Sequence, residues 1–147
     1  MSCYFCNQIA AIENGQADNL IAELPETYVF LKSSKLFPGY CLVVSKEHLE
    51  QLPELPTEKQ LQIFRDVSVV GNAIYAEQNP QRLNYECLGN LVAHIHWHII
   101  PRYKSDLLPE GPVWKIDKSL RDEGNEASEL AQLKKRLSKK IDSLKIV

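Results

Sequence analysis

Residues 94–102 read His94-Ile95-His96-Trp97-His98-Ile99-Ile100-Pro101-Arg102, and their spacing decides the fold. In an extended strand successive side chains point to opposite faces. His94, His96 and His98 therefore share one face at roughly 7 Å intervals, while Ile95, Trp97 and Ile99 share the other. Three of the chain's four histidines stand in that row, His48 being the exception. A strict period of two, backed by bulky apolar residues, points to chemistry that uses titratable nitrogens more than to surface alternation.

The apolar side of this strand needs a cover, and the sequence upstream supplies one. After Pro53 and Pro56, Thr57-Glu58-Lys59-Gln60 has the form of a capping box. Leu61, Phe64, Val67, Ser68, Gly71 and Ile74 or Tyr75 then recur at three- and four-residue steps until Asn79-Pro80, which predicts a helix laid over Ile95, Trp97 and Ile99. Around it, Cys6 to Asn14 reads as a short helix stopped by Gly15, and Asn19 to Leu24 as a strand ended by Pro25. Tyr28 to Leu31 and Tyr40 to Val44 read as an antiparallel hairpin with a long loop, and Leu83 to Leu88 and Ile95 to Arg102 as two more strands. Long helix on short, mostly antiparallel strands is an α+β class. After Pro101 the chain turns polar, with Val113, Trp114 and Ile116 as an apolar cluster. It closes on Ala127 to Leu144, where Leu130, Leu133, Leu137, Ile141 and Leu144 keep helical spacing. We expect a core over residues 1–103 and an extension over 104–147 ending in an amphipathic helix, which either belongs to the same domain or makes a dimer contact.

A chain of 147 residues, 44% hydrophobic, can bury one substantial core. A net charge of −2 argues against a nucleic-acid polymer as partner and leaves room for a local cationic cleft around a small phosphorylated ligand. No apolar run reaches the length of a membrane span, and the residues after Met1 do not read as a secretory leader, so we expect a cytoplasmic protein. In a reducing compartment Cys3 and Cys6, a Cys-x-x-Cys pair, suggest metal or redox chemistry. Cys41 and Cys87, isolated in apolar segments, suggest core residues.

The aligned imidazoles admit two kinds of chemistry. His96 could be a nucleophile toward phosphorus, its second ring nitrogen tied to a carbonyl so that the attacking one is unprotonated. Alternatively the strand histidines could hold a metal that activates water. Spacing alone leaves both open.

The run Gly89-Asn90-Leu91-Val92-Ala93-His94-Ile95-His96-Trp97-His98-Ile99-Ile100-Pro101-Arg102 closely resembles the signature of the histidine triad (HIT) family. Phe37-Pro38-Gly39-Tyr40-Cys41-Leu42-Val43-Val44-Ser45-Lys46-Glu47-His48 resembles the family's hairpin strand and the segment after it, so the likeness spans at least Cys3 to Tyr103. It implies a HIT-like fold and a hydrolase or nucleotidyl transferase. Such an enzyme would cleave at the α-phosphate of a dinucleoside polyphosphate or a nucleoside phosphoramidate through a nucleotidyl-histidine. His96 matches the nucleophile, and His98 the histidine that stabilises phosphate charge and manages the leaving-group proton. Asn90 stands where a polar residue faces the phosphate, amides near Gly89 add donors, and Asn84 is placed to contact ribose or phosphates.

The resemblance also implies a homodimer, for which the apolar stripe of the last helix offers support, and a structural zinc on Cys3, Cys6, His48 and His94. Two thiolates and two imidazoles close a tetrahedron with no open position for water. Two residues depart from the family pattern. Tyr40 replaces a frequent histidine, so the support that side chain gives the triad must be lost or taken by a phenol. Lys32 replaces an acidic residue that often grips the ribose hydroxyls, leaving Ser33 and Ser34 as weaker candidates. These departures keep a third function open, a nucleotide-binding regulatory protein without turnover.

Overall fold

The strand that carries the histidines lies inside an antiparallel five-stranded sheet with helices packed against it, an α+β architecture, in a computed structural model that describes residues 2–145. Met1, Ile146 and Val147, at the two ends of the expected core and extension, lie outside the described residues. The strands are β1 (Leu20–Glu23), β2 (Thr27–Leu31), β3 (Cys41–Ser45), β4 (Arg82–Glu86) and β5 (His96–Arg102). They run in the order β1-β2-β3-β5-β4, with every neighbouring pair antiparallel. The helices are α1 (Tyr4–Glu13), α2 (Thr57–Gln78), the short α3 (Lys118–Arg121) and α4 (Ala127–Leu144).

Alternation along the strands sorts the side chains into two environments. On one face Val29, Leu31, Cys41, Val43 and Ile99 meet Ile63, Val67, Val70 and Ile74 of α2 and Leu133, Leu137 and Ile141 of α4 in the main core. Each of the three α4 side chains, at most 2% exposed, contributes roughly 1.5–3 kcal/mol over solvent exposure. The stripe on the last helix is thus consumed inside the protomer and gives a dimer no support. Asp66, buried on α2, ties that helix to the sheet: its carboxylate accepts from the Glu26 amide at 3.0 Å, from Thr27 Oγ1 at 2.9 Å and from Gln62 Nε2 at 2.9 Å.

Three local expectations are corrected. The helix at Thr57 begins after Pro56 without a side-chain cap, and Gln60 donates instead to the Leu55 carbonyl. The reciprocal box forms one turn earlier, between Gln51 and Glu54. The buried face of α2 is rotated from the predicted one. Val67, Gly71 and Ile74 face inward as expected, but Leu61, Phe64, Ser68 and Tyr75 are exposed, and Ile63, Val70 and Ala73 take their places. Ile99 enters the core and Trp97 packs on it, its ring 5.5 Å from Phe64, whereas Ile95 is buried outside that cluster. Finally, His94 precedes the regular strand, in a segment held by the Ile95 amide donating to Leu49 and the Ser45 amide donating to Ile95.

The second face of the sheet is covered at its two ends and open between them. Phe5 of α1 packs on Phe30 and Val44, while Val113 and Ile116, from the polar stretch after β5, pack with Phe37, Tyr40 and Ile100. Arg102 anchors that stretch: it pairs with Asp106 and donates to the carbonyls of Gly111 at 2.8 Å and Leu108 at 2.7 Å. His96 and His98 stand between the two covers.

Candidate active site

Backbone geometry fixes the proton on the central histidine. His96 Nδ1 lies 2.7 Å from the carbonyl of His94, and a carbonyl only accepts, so Nδ1 carries the hydrogen and Nε2 keeps its lone pair. Burial pushes the His96 pKa below its ordinary value, the bond to His94 opposing the shift, so the neutral form dominates near pH 7. Phe5 lies against the ring, tilted by 43° with centroids 4.5 Å apart, and covers one side of it. Gly89 and Asn90 line, with His96, one cavity of about 340 Å³ whose floor includes Ala93 and Cys87. Gly89 takes φ +70°, a conformation that costs a residue with a Cβ, and so turns the loop toward His96.

His98 is the next residue on this face. Its Nδ1 sits 2.6 Å from Tyr40 Oη, so the phenol occupies a supporting position against the triad. Burial keeps Tyr40 protonated by raising its pKa, an effect that the nearby Glu86 charge reinforces. His98 itself is held down to about 4, first by burial and then by the charges of His96 and Lys32. Trp114 lies edge-on at 5.2 Å from the His98 ring, anchored by Nε1 donating to Glu86 at 2.9 Å, and the Arg121 guanidinium rests on the Trp114 ring. Sequence reading missed Trp114 and Arg121 because they arrive from a polar stretch with no periodicity to place it.

Asn84 is not brought to the histidines. It pairs with Ile100 in the sheet, and its Oδ1 accepts from Arg102 Nη1 at 2.8 Å, so its side chain is spent on the anchor of the following loop. Ser33 and Ser34 are likewise engaged: Ser33 Oγ accepts from the Asn125 amide, Ser34 Oγ accepts from the Phe37 amide, and the Ser34 backbone is clamped by the Asn125 side chain.

Cys3, Cys6, His48 and His94 converge, with one ligand atom of each within 4.8 Å of the others. His94 donates from Nε2 to the Ser45 carbonyl at 2.7 Å, which leaves Nδ1 free to ligate. That atom lies 3.5 Å from Cys3 Sγ and 3.6 Å from Cys6 Sγ, and His48 Nδ1 lies 3.3 Å from Cys6 Sγ. A tetrahedral zinc with two thiolates and two imidazoles requires ligand separations of about 3.3–3.8 Å, so the donor types fit and these three sulfur–nitrogen separations fall in that range. His96 and His98 are not part of this cluster. A zinc held by these four donors would have no open position for a reactive water, so this cluster would not itself supply a metal-activated nucleophile.

A family model for the HIT domain matches residues 13–105. Among curated relatives, an adenosine 5'-monophosphoramidase of Schizosaccharomyces pombe is 34% identical over 104 residues, covering 69% of this chain and 75% of its own. Among solved structures, a histidine triad protein from Bradyrhizobium japonicum superposes with a TM-score of 0.76 at 28% identity, covering 83% of this chain and 89% of that one. A zinc-bound histidine triad family protein from Mycobacterium smegmatis superposes with a TM-score of 0.66 at 24% identity over 97% of both chains. The aligned imidazoles, the sheet that presents them and the extent of the domain match make this chain a member of the HIT domain family.

Proposed function

We propose that the chain is a nucleotide hydrolase or nucleotidyl transferase acting at the α-phosphate of a nucleoside phosphoramidate or dinucleoside polyphosphate. The observation that carries this reading is the 2.7 Å bond from His96 Nδ1 to the His94 carbonyl, which leaves an unprotonated Nε2 on a residue that lines the cavity formed with Gly89 and Asn90. The phosphoramidase relative favours a P–N bond among the substrates. Nε2 attacks phosphorus, the bond to the leaving group breaks with its electron pair, and water then attacks the nucleotidyl-histidine to release the mononucleotide. His98 and the amides of the Gly89–Asn90 turn are assigned to the phosphate oxygens. The anionic phosphate offsets the burial and the neighbouring positive charge that hold His98 neutral, so that His98 passes a proton to the leaving group and recovers one from water. Tyr40 suits that cycle because a phenol donates to a neutral imidazole and accepts from a protonated one.

The thiolate and imidazole cluster is assigned a structural zinc, which would pin the N-terminal segment to the strand without entering the reaction. Thiolate ligands agree with a reducing compartment such as the cytoplasm. A homodimer is assigned to the β4 edge of the sheet and the adjoining α2 surface, where Leu61, Phe64, Tyr75 and Tyr85 are each at least 45% exposed. Sedimentation of Phe64→Glu against the wild type tests that surface, with loss of a dimer as the expected result.

The main test is intact-mass analysis of protein quenched during turnover of adenosine 5'-phosphoramidate, paired with steady-state rates. One nucleotidyl group per chain is expected in the wild type and none in His96→Asn. The variant should lose several orders of magnitude in kcat, about what removing a covalent nucleophile costs. Turnover within about tenfold of wild type in His96→Asn abandons the mechanism, and tight binding without adduct or product supports a regulatory binding protein in its place.

A further inference from the structure

Beside His98 lies a second cavity, of about 420 Å³, separate from the one lined by Gly89 and Asn90. Tyr4, Leu42 and Leu130 give it apolar walls, and Lys32, Ser33 and His98 its polar side. Lys32 enters it at the end of β2, where its amide donates to the Tyr40 carbonyl and its ammonium stands 4.9 Å from the Tyr40 ring centroid. Lys32 is half-buried, and among the described residues its ammonium makes no ion pair. The charged groups that act on it are Lys118 and Arg121, which repel, and Asp122, the single carboxylate, which is already paired with Lys118. A desolvated cation in cationic company, facing a cavity beside the candidate reacting centre, lacks its counter-ion.

We propose that this cavity receives a nucleotide carrying a second phosphate besides the one attacked at His96, and that Lys32 is the side chain that selects for it. The inference rests on the nucleotide reading above and deepens it. The strand geometry sets the reach: Lys32 directly follows β2 and pairs with Tyr40, while His98 on β5 faces Leu42 of β3, so their backbones stand two strand spacings and two residues of register apart, about 12 Å, and the Lys32 ammonium, 4.9 Å from the Tyr40 ring, shortens that gap. One phosphate at the histidines and another at Lys32 are thus held by a single small ligand, with its base against Tyr4, Leu42 and Leu130. The second phosphate is either a substituent on the sugar or the next phosphate of an anhydride chain, and both present anionic phosphate oxygens to the ammonium.

Calorimetric titration of the full chain separates these cases without depending on turnover. The probes are adenosine 5'-monophosphate, its 2',5'- and 3',5'-bisphosphates and adenosine 5'-diphosphate. A two-phosphate probe is expected to bind about tenfold or more tightly than the monophosphate, the scale of one charge-assisted contact. Tight binding of a bisphosphate assigns the group to the sugar, and tight binding of the diphosphate assigns it to the chain. The preference should vanish in Lys32→Gln and persist in Lys32→Arg, with melting temperatures showing that both variants fold. Equal affinity for all four probes in the wild type, or a preference that survives Lys32→Gln, overturns the proposal while leaving the nucleotide reading in place. Failure of every probe, the monophosphate included, removes both.

Discussion

His94 presents two groups to two different tasks: its Nδ1 lies 3.5–3.6 Å from the Cys3 and Cys6 sulfurs, and its main-chain carbonyl accepts from His96 Nδ1 at 2.7 Å. One residue therefore joins the thiolate cluster to the proton arrangement of the central histidine, although only its backbone reaches the latter.

Removing zinc should therefore cost stability first. An ion present at a thousand times its Kd stabilises by about 4 kcal/mol, so chelation or Cys3→Ser should lower the melting temperature markedly while initial rates at low temperature change little. Elemental analysis of protein prepared without chelator should find one zinc per chain. A content near zero with no thermal gain on adding zinc removes the assignment.

Tyr40→Phe deletes the partner of His98 Nδ1 and nothing else in shape. We expect kcat/KM to fall about tenfold and stability to drop by about 1–3 kcal/mol, the cost of an unsatisfied half-buried ring nitrogen. Tyr40→His, which restores a hydrogen-bonding ring, should recover part of the rate. A rate unchanged in Tyr40→Phe would make the phenol a packing residue.

His98 should titrate near pH 4 in the free protein, followed by its ring resonances in NMR spectra. Because the folded value lies below the unfolded one, the unfolded chain binds this proton first. The stability His98 contributes as a neutral group is whole above about pH 6.5 and declines as pH falls toward 4. Lys32→Gln removes one of the charges holding the value down and should move the midpoint upward.

Asp66→Ala should destabilise by about 2–4 kcal/mol in urea unfolding, since it strands the Thr27 hydroxyl and the Glu26 amide under α2. Nucleotide affinity should hardly change, because Asp66 belongs to the opposite side of the sheet from the histidines. A loss below about 0.5 kcal/mol would mean that water replaces the carboxylate.

The histidine row was legible because a period of two maps directly onto one face of a strand, and Cys3, Cys6, His48 and His94 were legible as donors through the family pattern. Helix α2 was harder. It carries apolar residues on more than one side, and periodicity cannot say whether Phe64 or Ile63 meets the sheet when a second surface is also apolar. Asp66 gave no signal, since a carboxylate within a helix normally faces water. The surroundings of His98 were legible in part: Tyr40 and Lys32 stood out as departures from the family pattern, whereas Trp114 and Arg121 arrive through the long polar connection that Arg102 anchors and gave no signal. Asn84, which the resemblance placed against ribose or phosphates, instead has its Oδ1 accepting from that same arginine.

The four thiols are distributed so that a single one invites chemistry from outside. Cys3 and Cys6 belong to the cluster proposed to hold zinc, and Cys41 is fully buried with its pKa pushed up to about 12. Cys87 is exposed and lines the His96 cavity. A maleimide dye should therefore couple to zinc-loaded protein at one position without an engineered cysteine, and an environment-sensitive fluorophore placed there would report ligand arrival at the histidines in real time.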